Sequence, residues 1–247
     1  MPSFRRILHE SSDQAQSATG RVYGVLKEEI LTCELGPGTP IYEGEIAERL
    51  HVSKTPVREA LGMLIHEGLV EVRPRQGYRV TDLTLADVQE AFQLRLLLEP
   101  AAAELAAERA TAEQLQELRS LVEADDGASK ADRVRQASRF HAALAEASGN
   151  SRLAGTLRNL LEEMQRLYFI GLNIEDSISV NAAEHRELVD ALLKGNHHLA
   201  GDIARRQVET SRMRVFEAIL ASLTEPGNGA AADQVKLRPI PTSAPPR

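Results

Sequence analysis

The chain predicts a mainly α-helical protein, with an N-terminal winged helix-turn-helix followed by an all-α antiparallel helical bundle. Three observations predict it. Between residues 17 and 82, helical patterns give way to two alternating runs joined by a basic turn. From Thr84 onward, apolar residues recur only at helical spacing. Cap and turn residues punctuate both parts where such elements must start and stop.

In the first part, Val22, Val25, Leu26 and Ile30 share one helical face, and Gly36-Pro37-Gly38 breaks that helix. A second helix is expected over about 43–50 and a third over about 55–67, stopped by Gly68. Ser53 is positioned to cap the third, and Pro56 is tolerated because it falls in the first turn. Leu69-Val70-Glu71-Val72 and Tyr78-Arg79-Val80 alternate as strands do, around Arg73-Pro74-Arg75-Gln76-Gly77.

In the second part, Thr84 caps a long helix running to about Arg109, which Pro100 is expected to kink. Thr111 and Gln114 form a capping box for the next. Another spans about 130–147 and ends at Gly149. The helix after Asn150-Ser151 carries Leu153, Leu157, Leu160, Leu161, Met164, Leu167 and Tyr168. That stripe is wide enough to predict the central helix. Two more are expected over about 179–194 and 197–222, separated by Gly195-Asn196.

Composition narrows the function classes. The 247 residues hold 29 basic and 36 acidic side chains, a net charge of −7. Cys33 is the single cysteine, so no intrachain disulfide can form, and a reducing, cytoplasmic setting is expected. No apolar run reaches the roughly 18 residues of a membrane span. Residues 1–16 read as a flexible arm. Residues 225–247, with Pro226, Pro239, Pro241, Pro245 and Pro246, are expected to be disordered. The acidic total argues against a nucleic-acid partner, yet the charge is uneven. His51 to Val80 carries five basic and three acidic residues, a net +2, whereas residues 83–225 carry 16 against 23, a net −7.

The basic segment is a candidate DNA-reading surface. Ser53, Lys54 and Thr55 lie at the positive N-terminal end of a helix, where phosphate or base-edge contacts form readily. Arg58 lies one turn on, placed for a guanine edge or a phosphate, with Ala60, Leu61 and Leu64 as the buried face. The wing adds Arg73, Arg75, Gln76, Gly77 and Arg79.

The stretch from Ile30 to Asp82 resembles the GntR family of bacterial transcription regulators. Its carriers are Gly36-Pro37-Gly38, Glu45-Ile46-Ala47-Glu48-Arg49-Leu50, the run from Val52 to Leu61, Glu67-Gly68-Leu69-Val70 and Gly77-Tyr78-Arg79-Val80. The helical part resembles the FCD effector-binding domain of the FadR subfamily. The match runs through Leu94 to Pro100, Phe140-His141-Ala142-Ala143-Leu144, Ser148-Gly149-Asn150 and Glu184-His185-Arg186. The resemblance implies a DNA-binding domain over 17–82 and an effector-binding and dimerisation domain over 83–224. Two positions depart from the family pattern. Lys54 stands where Arg is usual, and Gly44 stands where a second Arg often opens the second helix.

Helical periodicity turns several polar residues inward. Val134, Ala137, His141, Leu144 and Ser148 share a face; so do His185, Leu188, Val189 and Leu192; so do Val88, Phe92 and Arg95; and so do Leu199, Ile203, Gln207 and Thr210. A buried Arg needs a partner, so Arg95 either pairs with Glu99 one turn later or receives an anion, and the two roles can coexist. The resemblance further implies a divalent-metal site of one Asp and three His. Here His141 and His185 match two ligands, but Ala137 replaces the Asp and Gln207 the last His. Ala cannot coordinate and Gln is a weak neutral ligand, so a zinc- or nickel-type ion is expected to be weakly held or absent, and His141 and His185 vestigial. His197 and His198 are expected to face solvent. Arg95, His141, His185 and Gln207 remain as an effector-binding set for an organic or sugar acid.

The expected function is that of a homodimeric repressor, released from a palindromic operator duplex by a small carboxylated metabolite, with no cofactor and no membrane partner. The hinge between the parts is expected around residues 80–84. A metal-dependent sensor using a remodelled FCD site is the alternative. A helical-bundle enzyme is disfavoured, because the sequence holds no nucleophile–base pair and no phosphate-binding glycine loop.

Overall fold

A computed structural model describes residues 17–123, 130–169 and 175–224. The arm at 1–16 and the tail at 225–247 lie outside the described residues. The chain forms two compact units, one up to Asp82 and one from Leu83.

The first unit begins with α1 (Ala18–Leu31), where the Ser17 hydroxyl accepts from the Gly20 amide at 3.0 Å. It continues through β1 (Pro40–Ile41), α2 (Glu43–Arg49), α3 (Lys54–His66), β2 (Val70–Arg73) and β3 (Gly77–Val80). The inward face of α1 is Val22, Leu26 and Ile30, which pack with Val57, Leu61 and Leu64 of α3; Val25 is exposed instead. Burying each of these aliphatic side chains stabilises the unit by roughly 1.5–3 kcal/mol. The sheet is antiparallel in the order β1-β3-β2, with Val70 opposite Val80 and Arg73 opposite Gly77. A two-stranded wing was expected. The third strand, β1, is only two residues long, too short to show periodicity, and its Pro40 fits only an edge position. The wing turn needs left-handed backbone at Arg75 (φ 65°) and Gly77 (φ 87°).

The second unit is wholly helical: α4 (Leu85–Arg109), α5 (Ala112–Glu123), α6 (Lys130–Ala147), α7 (Ser151–Phe169), α8 (Glu175–Leu193) and α9 (His197–Thr224). Thr84 and Asp87 make a reciprocal capping box on α4, and Thr111 and Gln114 make another on α5. Pro100 sits inside α4, which runs unbroken through it. The α6–α7 turn passes through Gly149 (φ 68°), and the Asn150 side chain accepts from the Leu153 amide at 3.2 Å.

The central helix is α4, which packs against α6, α7, α8 and α9. The sequence pointed to α7 because its stripe is wide. That stripe is buried from Leu157 to Leu167, but α7 lies on α6 and α4 at the side of the unit. Centrality follows from having neighbours all round, and the small residues Ala102, Ala103 and Ala106 let α4 have them. Gly201 does the same for α9: a Cβ there would lie 2.8 Å from Glu104 Cγ on α4. Leu199 is exposed, since it falls in the first turn of α9 before the helix reaches the core at Ala200 and Ile203.

Candidate functional site

Two places gather the polar side chains singled out from the sequence. The first is the outer face of α3 and the wing. Ser53, Lys54, Thr55 and Arg58 are exposed there. Ser53 occupies the N-cap position of α3 but makes no side-chain cap bond, so its hydroxyl is not committed to the helix as expected. Lys54 extends past α2, where a Cβ on Gly44 would lie 4.0 Å from its ammonium.

Arg58 is not a loose side chain. Its Nε donates to Glu43 Oε1 at 3.0 Å and its Nη2 to Glu43 Oε2 at 2.8 Å, while the Tyr78 hydroxyl donates to Glu43 Oε1 at 3.2 Å. The Arg58 hydrogen bonds hold the Glu43 carboxyl below its ordinary range. In the wing, Arg73 and Arg79 both donate to Glu71, and Arg79 also reaches Asp82 at 3.1 Å. Burial pushes the Glu71 carboxyl up, but the two arginines outweigh it and hold the group low. Arg75, at the exposed tip beside Gln76 and Gly77, makes no ion pair among the described residues. The wing arginines therefore divide into two that are locally neutralised and one that projects free. Glu71 could have been found in the sequence, since it is two residues from Arg73 and pairs across the ladder with Arg79. Glu43 left no signal, because 15 residues separate it from Arg58.

The second place is a cavity of about 40 Å³ within the helical unit, lined by Arg95, Ala137, Ser138, His141, Met164, Glu184, His185, Gln207 and Ser211. All four side chains of the expected effector set reach it. Arg95 Nε lies 2.5 Å from Glu99 Oε1, and both residues are buried. Glu99 Oε2 lies 3.0 Å from His141 Nδ1, off the ideal hydrogen-bond line. Burial pushes the Glu99 carboxyl up, but Arg95 and then His141 outweigh it, and its pKa falls to about 2. A carboxylate only accepts, so the proton facing it sits on His141 Nδ1. The other nitrogen of His141 lies 3.3 Å from His185 Nε2, so the two rings share one proton there. Burial, then the neighbouring His141, push the His185 pKa well down, which keeps that ring neutral. It stacks on Phe140 with centroids 4.1 Å apart.

Gln207 Nε2 donates to the Glu184 carbonyl at 2.7 Å, and Gln207 Oε1 is buried with no hydrogen-bond partner among the described residues. At the expected ligand positions the donors are two imidazole nitrogens and one neutral amide oxygen, with Glu184 also bordering the cavity. Ala137 contributes none, and Glu99 is turned onto Arg95 and His141. Among the described residues no three His, Cys, Asp or Glu side chains are grouped to hold an ion. That set falls short of the three or four good donors a resident zinc- or nickel-type ion needs. His197 and His198 lie together at the start of α9, with rings 4.2 Å apart, and do not line the cavity. No helix among the described residues is long and apolar enough to cross a membrane.

Comparison with known proteins matches both units. The family described as "Bacterial regulatory proteins, gntR family" matches residues 18–80, and the family described as "FCD domain" matches residues 90–210. An uncharacterised HTH-type transcriptional regulator in an unstable DNA locus of Streptomyces ambofaciens is 32% identical over 221 residues, covering 83% of this chain and 87% of that protein. The HTH-type transcriptional repressor RspR of Escherichia coli is 26% identical over 208 residues, covering 83% and 90%. A crystal structure of a GntR transcriptional regulator from Rhodococcus sp. RHA1 shares the fold, with a TM-score of 0.70 at 24% identity over 81% of this chain and 98% of that one. The chain belongs to the GntR family: it is a DNA-binding transcriptional regulator with a C-terminal FCD effector domain, and not an enzyme.

Proposed function

We propose that the protein is a cytoplasmic repressor. It acts as a homodimer on a palindromic operator and is released when a small carboxylated metabolite, an organic or sugar acid, fills the cavity without a resident metal. The observation that carries this reading is the small, partly open cavity where the polar side chains of Arg95, His141, His185 and Gln207 meet. Repression draws support from the name of the relative RspR. Exposed Ser53, Lys54, Thr55, Arg58, Arg75 and Gln76 form the surface offered to DNA, with two such surfaces spaced by the dimer for two half-sites.

The cavity, about 40 Å³, is small and partly open. A bound acid acts as a switch to the extent that it prefers an arrangement in which α6 to α9 stand further apart. It shifts the protein only by its preference for that arrangement. Within the cavity, Glu99 already offsets much of the Arg95 charge, so the carboxylate is held chiefly by hydrogen bonds to Arg95, Ser138 and Ser211. The unpartnered Gln207 oxygen asks for a donor, which a ligand hydroxyl supplies.

A thermal-shift screen of organic, sugar and amino acids, with and without zinc or nickel, tests this reading. Stabilisation by an acid alone supports it. The second reading, a metal-dependent sensor, rests on the 3.3 Å separation of the two imidazole nitrogens, a spacing two ligands of one ion also adopt. Stabilisation only when metal is added favours that one.

A further inference from the structure

We infer that Glu43 is a positioning residue for base reading: it clamps Arg58 side-on, so that the outer fork of the guanidinium is offered to a single guanine. The inference rests on Arg58 being a base contact. A guanidinium carries five N–H donors in one rigid plane. Glu43 takes the Nε edge, through Nε at 3.0 Å and Nη2 at 2.8 Å. The edge left over carries donors on Nη1 and Nη2, the fork that matches guanine N7 and O6 in the major groove. Exposure agrees with this division: the Arg58 side chain is 65% exposed and that of Glu43 is 19%. The carboxylate lies on the protein side of the pair and the guanidinium on the solvent side.

Glu43 is itself held. It is the first residue of α2, where the helix N-terminus favours its charge, and the Tyr78 hydroxyl reaches it from β3. One carboxylate thus ties the recognition helix, the preceding helix and the wing together. An unclamped arginine on a protein surface samples many rotamers and reaches phosphates as readily as bases. A clamped one has lost that freedom before DNA arrives, and the fixed negative charge beside it repels backbone phosphate. Positioning and repulsion act in the same direction, since both favour a specific duplex over an arbitrary one.

A simpler role, in which Glu43 only obstructs DNA, predicts the opposite for a specific site, and the two separate cleanly. Full-length protein selects its preferred duplex from a random pool, and affinities are then measured for that duplex, for single-base-pair variants of it and for a scrambled duplex. Glu43→Gln is expected to lower the preference for one G·C pair by about tenfold or more, while affinity for the scrambled duplex holds or rises. Tyr78→Phe should move the preference the same way by less. Adding Glu43→Gln to Arg58→Ala should change the preference no further. Because base preference is a ratio within one protein sample, a loss of folded protein does not imitate the effect. Unchanged preference in Glu43→Gln, an equal gain on every duplex, or additivity with Arg58→Ala overturns the inference. Unchanged preference in Arg58→Ala alone overturns instead the assignment of Arg58 as a base contact.

Discussion

Gln207 Nε2 donates to the Glu184 carbonyl oxygen at 2.7 Å, and this bond decides which way the amide faces. A carbonyl oxygen can only accept, so the nitrogen must face it and Gln207 Oε1 must point away. Gln207 is thus an acceptor toward the cavity, and a poor metal ligand. Gln207→His should add a third imidazole to His141 and His185 and raise zinc or nickel affinity at least tenfold over the unaltered chain. Metal titration of the two proteins checks this. Equal affinity, or one equivalent of metal already held by the unaltered chain, contradicts it.

Glu99 makes the helical unit sensitive to acid. Its pKa in the folded chain, about 2, lies below the unfolded value near 4.5, so its contribution is complete above about pH 4.5 and is lost as pH falls toward 2. Glu99→Gln removes the buried carboxylate charge that Arg95 and His141 face and should cost about 3–5 kcal/mol at pH 7. Denaturant unfolding should show the gap between the two proteins closing through that acid window. A gap independent of pH means that Glu99 is not ionised in the fold.

His185 has the same direction in a higher window. Its folded pKa lies well below 6.5, so the unfolded chain takes up a proton first as pH falls, and stability declines below about pH 6.5. The slope from one such group is at most about 1.4 kcal/mol per pH unit. His185→Phe keeps a ring against Phe140 but cannot titrate, and should flatten the decline between pH 6.5 and 5. Identical pH profiles would count against a neutral, buried His185.

In the wing, Arg75 and Arg79 should behave differently. Arg75→Ala should reduce the salt dependence of DNA binding by about one counterion, because its charge is free to meet phosphate. Arg79→Ala should change that slope little and instead cost about 1 kcal/mol of stability, because Glu71 and Asp82 already hold its guanidinium. Equal slopes for the two variants contradict this division.

Most helices were legible because they carry start or stop signals, such as Thr84 before α4 and Gly149 before Asn150; α8 carried no start signal, and it begins at Glu175, ahead of the expected residue 179. Periodicity also turned Arg95, His141, His185 and Gln207 toward one cavity. What escaped the sequence depends on pairings it does not encode locally. β1 is too short to alternate, and Pro40 disguises it. The clamp on Arg58 joins residues from α2, α3 and β3. The identity of the central helix turned on the small side chains of α4, since a wide apolar stripe reports how much of a helix is buried and not how many neighbours bury it. Arg95 had two open readings, and the 2.5 Å contact with Glu99 establishes the internal pair.

The most direct test of a ligand-released regulator is a fluorescence-anisotropy titration of the full-length protein on its selected duplex. Each acid that raises the melting temperature is added in turn, to the unaltered chain and to Ala137→Leu, whose larger side chain fills the cavity. The expected result is that the stabilising acids release DNA from the unaltered chain, while Ala137→Leu binds the duplex equally well and does not respond. Release that persists unchanged in Ala137→Leu, or acids that stabilise the protein without releasing its DNA, would contradict control from this cavity.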